Sequence, residues 1–212
     1  MRLAVDNLTL SRGSRRLIEG LSFDVGAGEA LVLTGPNGVG KTTLLRALAG
    51  FIAPEAGAVR LEGAEDEGAV AEATHYVGHA NAVKAGLSVR ENAQFWVRFL
   101  GGNVQAVDEV LESLHLADIA EVPAGYLSAG QKRRLGLARL LLAARPLWLL
   151  DEPTAALDVA SQALLAGLMQ RHLDGGGILV AATHGPLGLA GARILELAAA
   201  LPGEALSAGE AR

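Results

Sequence analysis

Cysteine is absent from the 212-residue chain, which excludes disulfides and thiolate metal sites and says little about compartment. Also missing is any charge-free apolar run of the roughly 18 residues that a membrane-spanning helix needs, although 50% of the residues are hydrophobic. A surplus of positive charge is lacking too, since 18 Lys and Arg stand against 23 Asp and Glu for a net charge of −5. Extended nucleic-acid binding requires a basic face that neutralises several phosphates, so that function is disfavoured, while a small basic patch is not. The start, Met1-Arg2-Leu3-Ala4-Val5-Asp6, meets an acid before a signal-peptide apolar core can form, so no export or targeting peptide is expected and cytoplasm is the default compartment. No internal repeat or low-complexity linker interrupts the chain, and its length suits one domain.

What is present is a succession of strand and helix signals. Leu3, Val5, Leu8 and Leu10, then Leu21, Phe23 and Val25, fall in strand-like alternation and predict an antiparallel entry region. Ala30-Leu31-Val32-Leu33 is continuously apolar and ends in a Gly-rich turn, as a strand buried on both faces of a parallel sheet does. A helix is expected from about Lys41 to Ala49, then a turn at Pro54 to Gly57, a short strand Val59-Arg60-Leu61 and a solvated acidic loop from Glu62 to Gly68. Ser88-Val89-Arg90-Glu91 has capping-box spacing and predicts a helix running to about Leu100, ended by Gly101-Gly102. Val104, Val107, Val110, Leu111 and Leu114 form one apolar stripe on a helix opened by Asn103. Another helix is expected from Ser128 to about Ala144, where Arg145-Pro146 breaks it. Leu147 to Leu150 and Ile178 to Ala182 read as further buried parallel strands, and the chain after Ala200 as a disordered tail.

Two motifs carry chemistry. Gly35-Pro36-Asn37-Gly38-Val39-Gly40-Lys41-Thr42, followed by Thr43, is a phosphate loop of the form Gly-x-x-x-x-Gly-Lys-Thr set between a buried strand and a helix. Its glycines let backbone N–H groups turn inward on phosphate oxygens, the helix start adds partial positive charge, Lys41 reaches the β/γ-phosphates and Thr42 offers a hydroxyl to Mg²⁺. Farther on, Leu147-Trp148-Leu149-Leu150-Asp151-Glu152 puts two carboxylates at the carboxyl end of a buried strand, where open α/β sheets hold their ligands. Asp151 suits the Mg²⁺ shell, and Glu152 is placed to orient and deprotonate the attacking water.

A phosphate loop by itself suits kinases, GTPases and helicases alike. Leu127-Ser128-Ala129-Gly130-Gln131, however, resembles the Leu-Ser-Gly-Gly-Gln signature of ABC ATPases and lies about 20 residues before Asp151-Glu152, as in that family. Asp151-Glu152-Pro153-Thr154-Ala155-Ala156-Leu157-Asp158 resembles its carboxylate strand and D-loop, His184 matches its switch histidine, and no Asn-Lys-x-Asp guanine motif occurs. The resemblance implies an α/β P-loop NTPase fold of the ABC type, with a mainly parallel core sheet, an amino-terminal antiparallel β region and a helical subdomain near residues 85–128, in one domain spanning 1–200. It further implies ATP and Mg²⁺ as ligands, and two copies packed head to tail so that Ser128, Ala129, Gly130 and Gln131 of one meet the γ-phosphate in the other's cradle, with Asp158 nearby. Two positions depart from the family pattern: His79 stands in the Q-loop place, next to Mg²⁺ or its water, and Arg12 stands where an aromatic usually stacks on adenine.

The short length, Gly78-His79-Ala80-Asn81-Ala82-Val83-Lys84, and Leu127 to Arg134 followed by Leu137-Ala138-Arg139-Leu140 resemble the haem-exporter ATPases of bacterial cytochrome c biogenesis (CcmA family) over about residues 1 to 197. That likeness implies an ATPase peripheral to the cytoplasmic face of the bacterial inner membrane, a homodimer beside integral membrane subunits and without nucleic acid. An ABC subunit for another cargo, and a soluble ABC ATPase of the iron–sulfur assembly type, stay open. The cluster Lys132, Arg133, Arg134 and Arg139 is expected to be a solvated helix face, and His75, His79 and His115 to be solvated or nucleotide-facing rather than haem ligands.

Overall fold

The computed structural model describes residues 1–63 and 70–198. Most of the expected acidic loop and the whole expected tail, 201–212, lie outside these residues. The alternating apolar residues of the entry region form β1 (Arg2–Arg12) and β2 (Arg15–Gly26), an antiparallel hairpin in which Leu3, Val5, Leu8 and Leu10 face inward. β4 (Ala56–Glu62) adds to the other edge of β1, giving a sheet of order β2-β1-β4. It begins three residues earlier than Val59, because Ala56 already pairs with Thr9 beyond a bulge in β1.

The second sheet is parallel and has five strands: β3 (Ala30–Thr34), β5 (Thr74–Val77), β6 (Leu147–Asp151), β7 (Ile178–Ala182) and β8 (Arg193–Glu196), in the order β5-β6-β7-β3-β8. Every residue of β6 and β7 is buried, which is why their sequences are apolar without alternation. Helix α1 (Lys41–Leu48) follows the phosphate loop directly, and its Leu44, Leu45 and Leu48 join the main core with β1, β2, β3, β6 and β7.

Between β5 and β6 the chain builds a largely separate apolar core. Here α2 (Val89–Leu100) starts at the Ser88–Glu91 capping box, and α3 (Val107–Ser113) supplies Val107, Val110 and Leu111. The helix expected from Asn103 opens instead as a 3-10 turn over Val104–Ala106, since the Asn103 side chain accepts the Gln105 N–H two residues on and tightens the backbone. The helix expected from Ser128 to Ala144 is split into α4 (Ala129–Leu137) and α5 (Arg139–Leu142). At Ala138 the N–H bonds the Leu135 carbonyl three residues back, and Ala143 is already extended with its carbonyl taken by His75. Helix α6 (Val159–Asp174), capped by the Asp158 side chain, and β8 were not expected from the sequence, although Leu165, Leu168 and Met169 repeat at helical spacing in α6.

His75 is not solvated. It is 2% exposed in β5 and its Nε2–H donates to the Ala143 carbonyl at 2.7 Å. Burial pushes its pKa down from 6.5 to about 4, only partly opposed by that hydrogen bond. The unfolded chain therefore takes up a proton below about pH 6.5 that the folded chain refuses until about pH 4, so this contribution to stability is complete above pH 6.5 and is lost on acidification. At about pH 5 the expected loss is roughly 2 kcal/mol, seen as a lower urea midpoint than near neutrality. His75→Gln, which keeps a donor but does not titrate, is expected to remove that share of the acid sensitivity. An identical pH slope in the variant would assign the loss to other groups.

Candidate active site

Three strands adjacent in the parallel sheet end at the same edge. β3 runs into the phosphate loop, β6 into Asp151-Glu152 and β7 into Thr183-His184, and Ala182 of β7 is paired with both Asp151 and Leu33. Segments more than 100 residues apart in sequence thus line one cleft of about 670 Å³, with Ser11, Arg12, Arg15, Asn37, Gly38, Gly40, Lys41, Thr42, Thr43, Arg46, Asp151, Glu152 and His184 in its wall.

The loop closes over the helix start because Gly35 takes φ +128° and a Cβ there would collide with the Leu197 carbonyl. Gly40 caps α1, whose first turn carries no acidic side chain, so the positive end of the helix faces the cleft without compensation. The Lys41 ammonium is buried and donates to the carbonyls of Gly35 at 2.6 Å and Pro36 at 3.1 Å, with His184 Nε2 3.4 Å away. Thr42 Oγ1 donates to Asp151 Oδ2 at 2.8 Å. His184 Nε2 also lies 2.8 Å from Asn37 Oδ1 and 3.6 Å from Glu152 Oε1, so phosphate loop, carboxylate and histidine touch one another.

Glu152 has φ +48°, the left-handed region, which costs a non-glycine residue about 1–3 kcal/mol. Its N–H donates to the Ala182 carbonyl at 2.8 Å, so the strained residue is pinned to the neighbouring strand. His79 is exposed and lines an adjoining cleft with Thr42, Asp151 and Glu152. Arg12 and Arg15 face each other at the end of the β1–β2 hairpin, over the phosphate-loop side of the cleft.

Arg15 and Arg46 also lie in the cleft wall, outside the motifs that carry the chemistry in the sequence. Arg46 was findable, since it stands four residues after Thr42 on the same face of α1. The larger correction concerns the basic cluster. Arg133 is 3% exposed and Arg139 6%, so these two are buried rather than solvated. Arg139 donates to the Tyr76 carbonyl at 3.1 Å and lies over the Trp96 ring, and desolvation pulls its pKa down to about 10. Arg133 is also lowered by desolvation, against the opposing charges of Asp151 and Glu152. A charge run on a helix is read as solvated when its neighbours are unknown, and no local pattern announces that backbone carbonyls will surround it.

Ser128, Ala129, Gly130, Gln131 and Asp158 are not in the cleft wall. Ser128 and Gln131 form a reciprocal capping box at the start of α4, with Gln131 N–H to Ser128 Oγ at 3.2 Å and Ser128 N–H to Gln131 Oε1 at 2.8 Å. Ser128 and Ala129 are exposed, so the start of α4 is open to solvent. Among the described residues no group of three or more His, Asp or Glu side chains is arranged to hold a metal.

Comparison with known proteins identifies the family of the chain. The family model described as ABC transporter matches residues 18–155. A cytochrome c biogenesis ATP-binding export protein CcmA of Rhizobium meliloti (strain 1021) is 54% identical over 202 residues, covering 93% of this chain and 98% of that protein. A protein of the same name from Rhodopseudomonas palustris (strain BisB5) is 52% identical, covering 94% and 100%. Among solved structures, a putative ABC transporter ATP-binding protein from Pyrococcus furiosus superposes with a TM-score of 0.80 at 23% identity, covering 93% of this chain and 98% of its own. A bacterial Atm1-family ABC exporter with ATP bound also gives 0.80, at 25% identity, over 93% of this chain and 37% of the exporter.

Because Lys41 combines burial with a position at the uncompensated end of α1, its removal is expected to weaken ATP binding by about 10- to 100-fold in Lys41→Ala. Titration with a fluorescent ATP analogue reads this, and parental affinity in the variant would take Lys41 out of the phosphate site.

Proposed function

The chain belongs to the ABC transporter family, and from that premise we propose that it is the ATP-binding and ATP-hydrolysing subunit of a transporter serving cytochrome c biogenesis, with haem export as its task. The observation that carries the catalytic part is the meeting of Lys41, the Thr42–Asp151 pair, Glu152 and His184 at one cleft edge. The names of the relatives from Rhizobium and Rhodopseudomonas support the biogenesis role.

ATP is the substrate. Phosphate loop amides, the start of α1, Lys41 and Arg46 hold its phosphates, while Arg12 offers a guanidinium plane to the base. The hydroxyl of Thr42 and the carboxylate of Asp151, 2.8 Å apart, are hard oxygen ligands that suit Mg²⁺, an ion that commonly takes one or two protein ligands and completes its shell with phosphates and water. When bound, Mg²⁺ supplies charge neutralisation on the β- and γ-phosphate oxygens. His79, which lines the adjoining cleft with Thr42 and Asp151, would contact that shell through water. Glu152 accepts a proton from the attacking water as its oxygen bonds to the γ-phosphorus and the bond to the β–γ bridging oxygen breaks, giving ADP and phosphate. His184, already within 3.6 Å of Glu152, holds the γ-phosphate side of that geometry.

One chain leaves the exposed α4 start, Ser128 to Gln131, far from use. In a head-to-tail pair it meets the γ-phosphate in the other copy's cradle, with Asp158 beside it, so ATP joins the subunits and hydrolysis releases them. No helix of the described residues is long and apolar enough to cross a membrane. Transport therefore requires integral membrane subunits, and we place the protein peripherally at the cytoplasmic face of the bacterial inner membrane. The single domain spans 1–200, and the helical region 85–128 offers those subunits the stacked rings of Phe95 and Phe99, the latter 70% exposed.

Glu152→Gln is expected to bind ATP with parental affinity, to lose about 10²–10⁴-fold in turnover and to accumulate an ATP-dependent dimer on size-exclusion chromatography. Recovery of multi-span proteins with the native chain from detergent-solubilised membranes tests the transport role. Unimpaired turnover by E152Q, or turnover by a preparation that stays monomeric with ATP, would contradict the mechanism.

A further inference from the structure

Arg133 lies outside the wall of the nucleotide cleft, yet its guanidinium is almost wholly buried and faces no carboxylate at hydrogen-bond distance. A buried charge of this kind persists only where its donors are satisfied in good geometry. Nε donates to the Pro153 carbonyl at 3.2 Å. Nη2 donates to the carbonyls of Asp151 at 3.2 Å and Glu152 at 2.8 Å. Nη1 donates to the Gly78 carbonyl at 3.0 Å and to Asn81 Oδ1 at 3.2 Å. The planar fork therefore gathers three consecutive carbonyls at the end of β6 and two oxygens of the segment that carries His79.

The middle carbonyl of the three belongs to Glu152, the one residue of the reacting constellation with left-handed backbone. Its peptide is held on both sides, by Ala182 through its N–H and by Arg133 through its oxygen. Such a conformation lasts only when the surroundings over-determine it, and it fixes the direction in which the carboxylate leaves the chain. Arg133 rides on α4, five residues beyond Ser128 and thus about 7.5 Å along the helix. The same helix is packed tightly at both contacts: a Cβ on Gly130 would press on the Ala156 carbonyl at 3.3 Å, and one on Gly136 would strike the Asn81 carbonyl at 2.7 Å.

We infer that Arg133 is a positioning residue for ATP hydrolysis, a clamp that holds the Glu152 backbone in its strained form and ties it to α4, so that engagement of the α4 start by the other copy's nucleotide aligns Glu152 in its own site. The inference rests on Glu152 acting on the attacking water. It deepens that reading by naming the element through which one nucleotide site reports to the other, since a shift of α4 moves the guanidinium against the Glu152 and Gly78 carbonyls together.

The test is a double-mutant cycle on the full chain with R133K, E152Q and the two combined, measuring turnover under single-turnover conditions, affinity for a non-hydrolysable ATP analogue and the thermal midpoint. Lysine keeps the charge but lacks the fork. R133K is expected to lower turnover by about 10- to 100-fold while analogue affinity stays within about twofold and the thermal midpoint, though lowered, stays well above the assay temperature. In the E152Q background the same change should cost less than about twofold, because Arg133 acts through Glu152. A loss that multiplies independently of E152Q, parental turnover in R133K, or a loss that follows from unfolding or lost nucleotide binding each overturns the inference. Parental turnover by E152Q alone defeats the assignment of Glu152, and the inference with it. An arrested E152Q beside an unimpaired R133K defeats the clamp only.

Discussion

Everything chemical in this molecule depends on Ala182 having Asp151 on one side and Leu33 on the other. Parallel pairing of β6, β7 and β3 ends all three strands at one edge, and the residues just past each end are Glu152, His184 and the phosphate loop. Hydrogen-bond register sets these positions to within the spacing of adjacent strands, about 4.8 Å. Contacts such as Lys41 to His184 and Thr42 to Asp151 follow without any further element bringing them together. The cost is that every residue of β6 and β7 must be buried, which accounts for their unbroken apolar sequences.

The chain carries a net charge of −5, but the cleft is locally cationic. Lys41, Arg12, Arg15 and Arg46 stand in its wall against Asp151 and Glu152, and the start of α1 adds its own partial charge. Polyanion attraction here is a property of a few placed groups rather than of composition. The two carboxylates offset it only in part, because four cationic side chains stand against them.

A second apolar core built from α2, α3 and the inner sides of α4, α5 and α6 holds the helical region together, while its contacts with the sheet include Leu137 and Leu140, which share a core with Trp148 and Leu150 of β6. Arg133 is the most concentrated of these, joining α4 to the end of β6 and to residues 78–81 through one side chain. Under the inferred clamp, a displacement of α4 would be felt at the end of β6 through this side chain.

The phosphate loop, the Asp151-Glu152 pair, the buried strands β3, β6 and β7 and the Ser88 capping box were legible in the sequence, because each is a contiguous run whose chemistry or periodicity spans fewer than about a dozen residues. Helix α6 carries a readable repeat, whereas the division of α4 from α5 rests on the Ala138 N–H turning to the Leu135 carbonyl, which no residue of the continuous helical pattern marks. The family was legible for the same local reason, through Leu127 to Gln131 at its distance from Glu152. Only the tertiary structure decided that Arg133 and Arg139 are buried, that Arg15 and Arg46 join the cleft and that the Ser128 end of α4 lies outside its wall. Burial of a long cation is settled by which carbonyls arrive around it, and those of Gly78 and Glu152 come from strands that the sequence places 74 residues apart and the sheet places side by side.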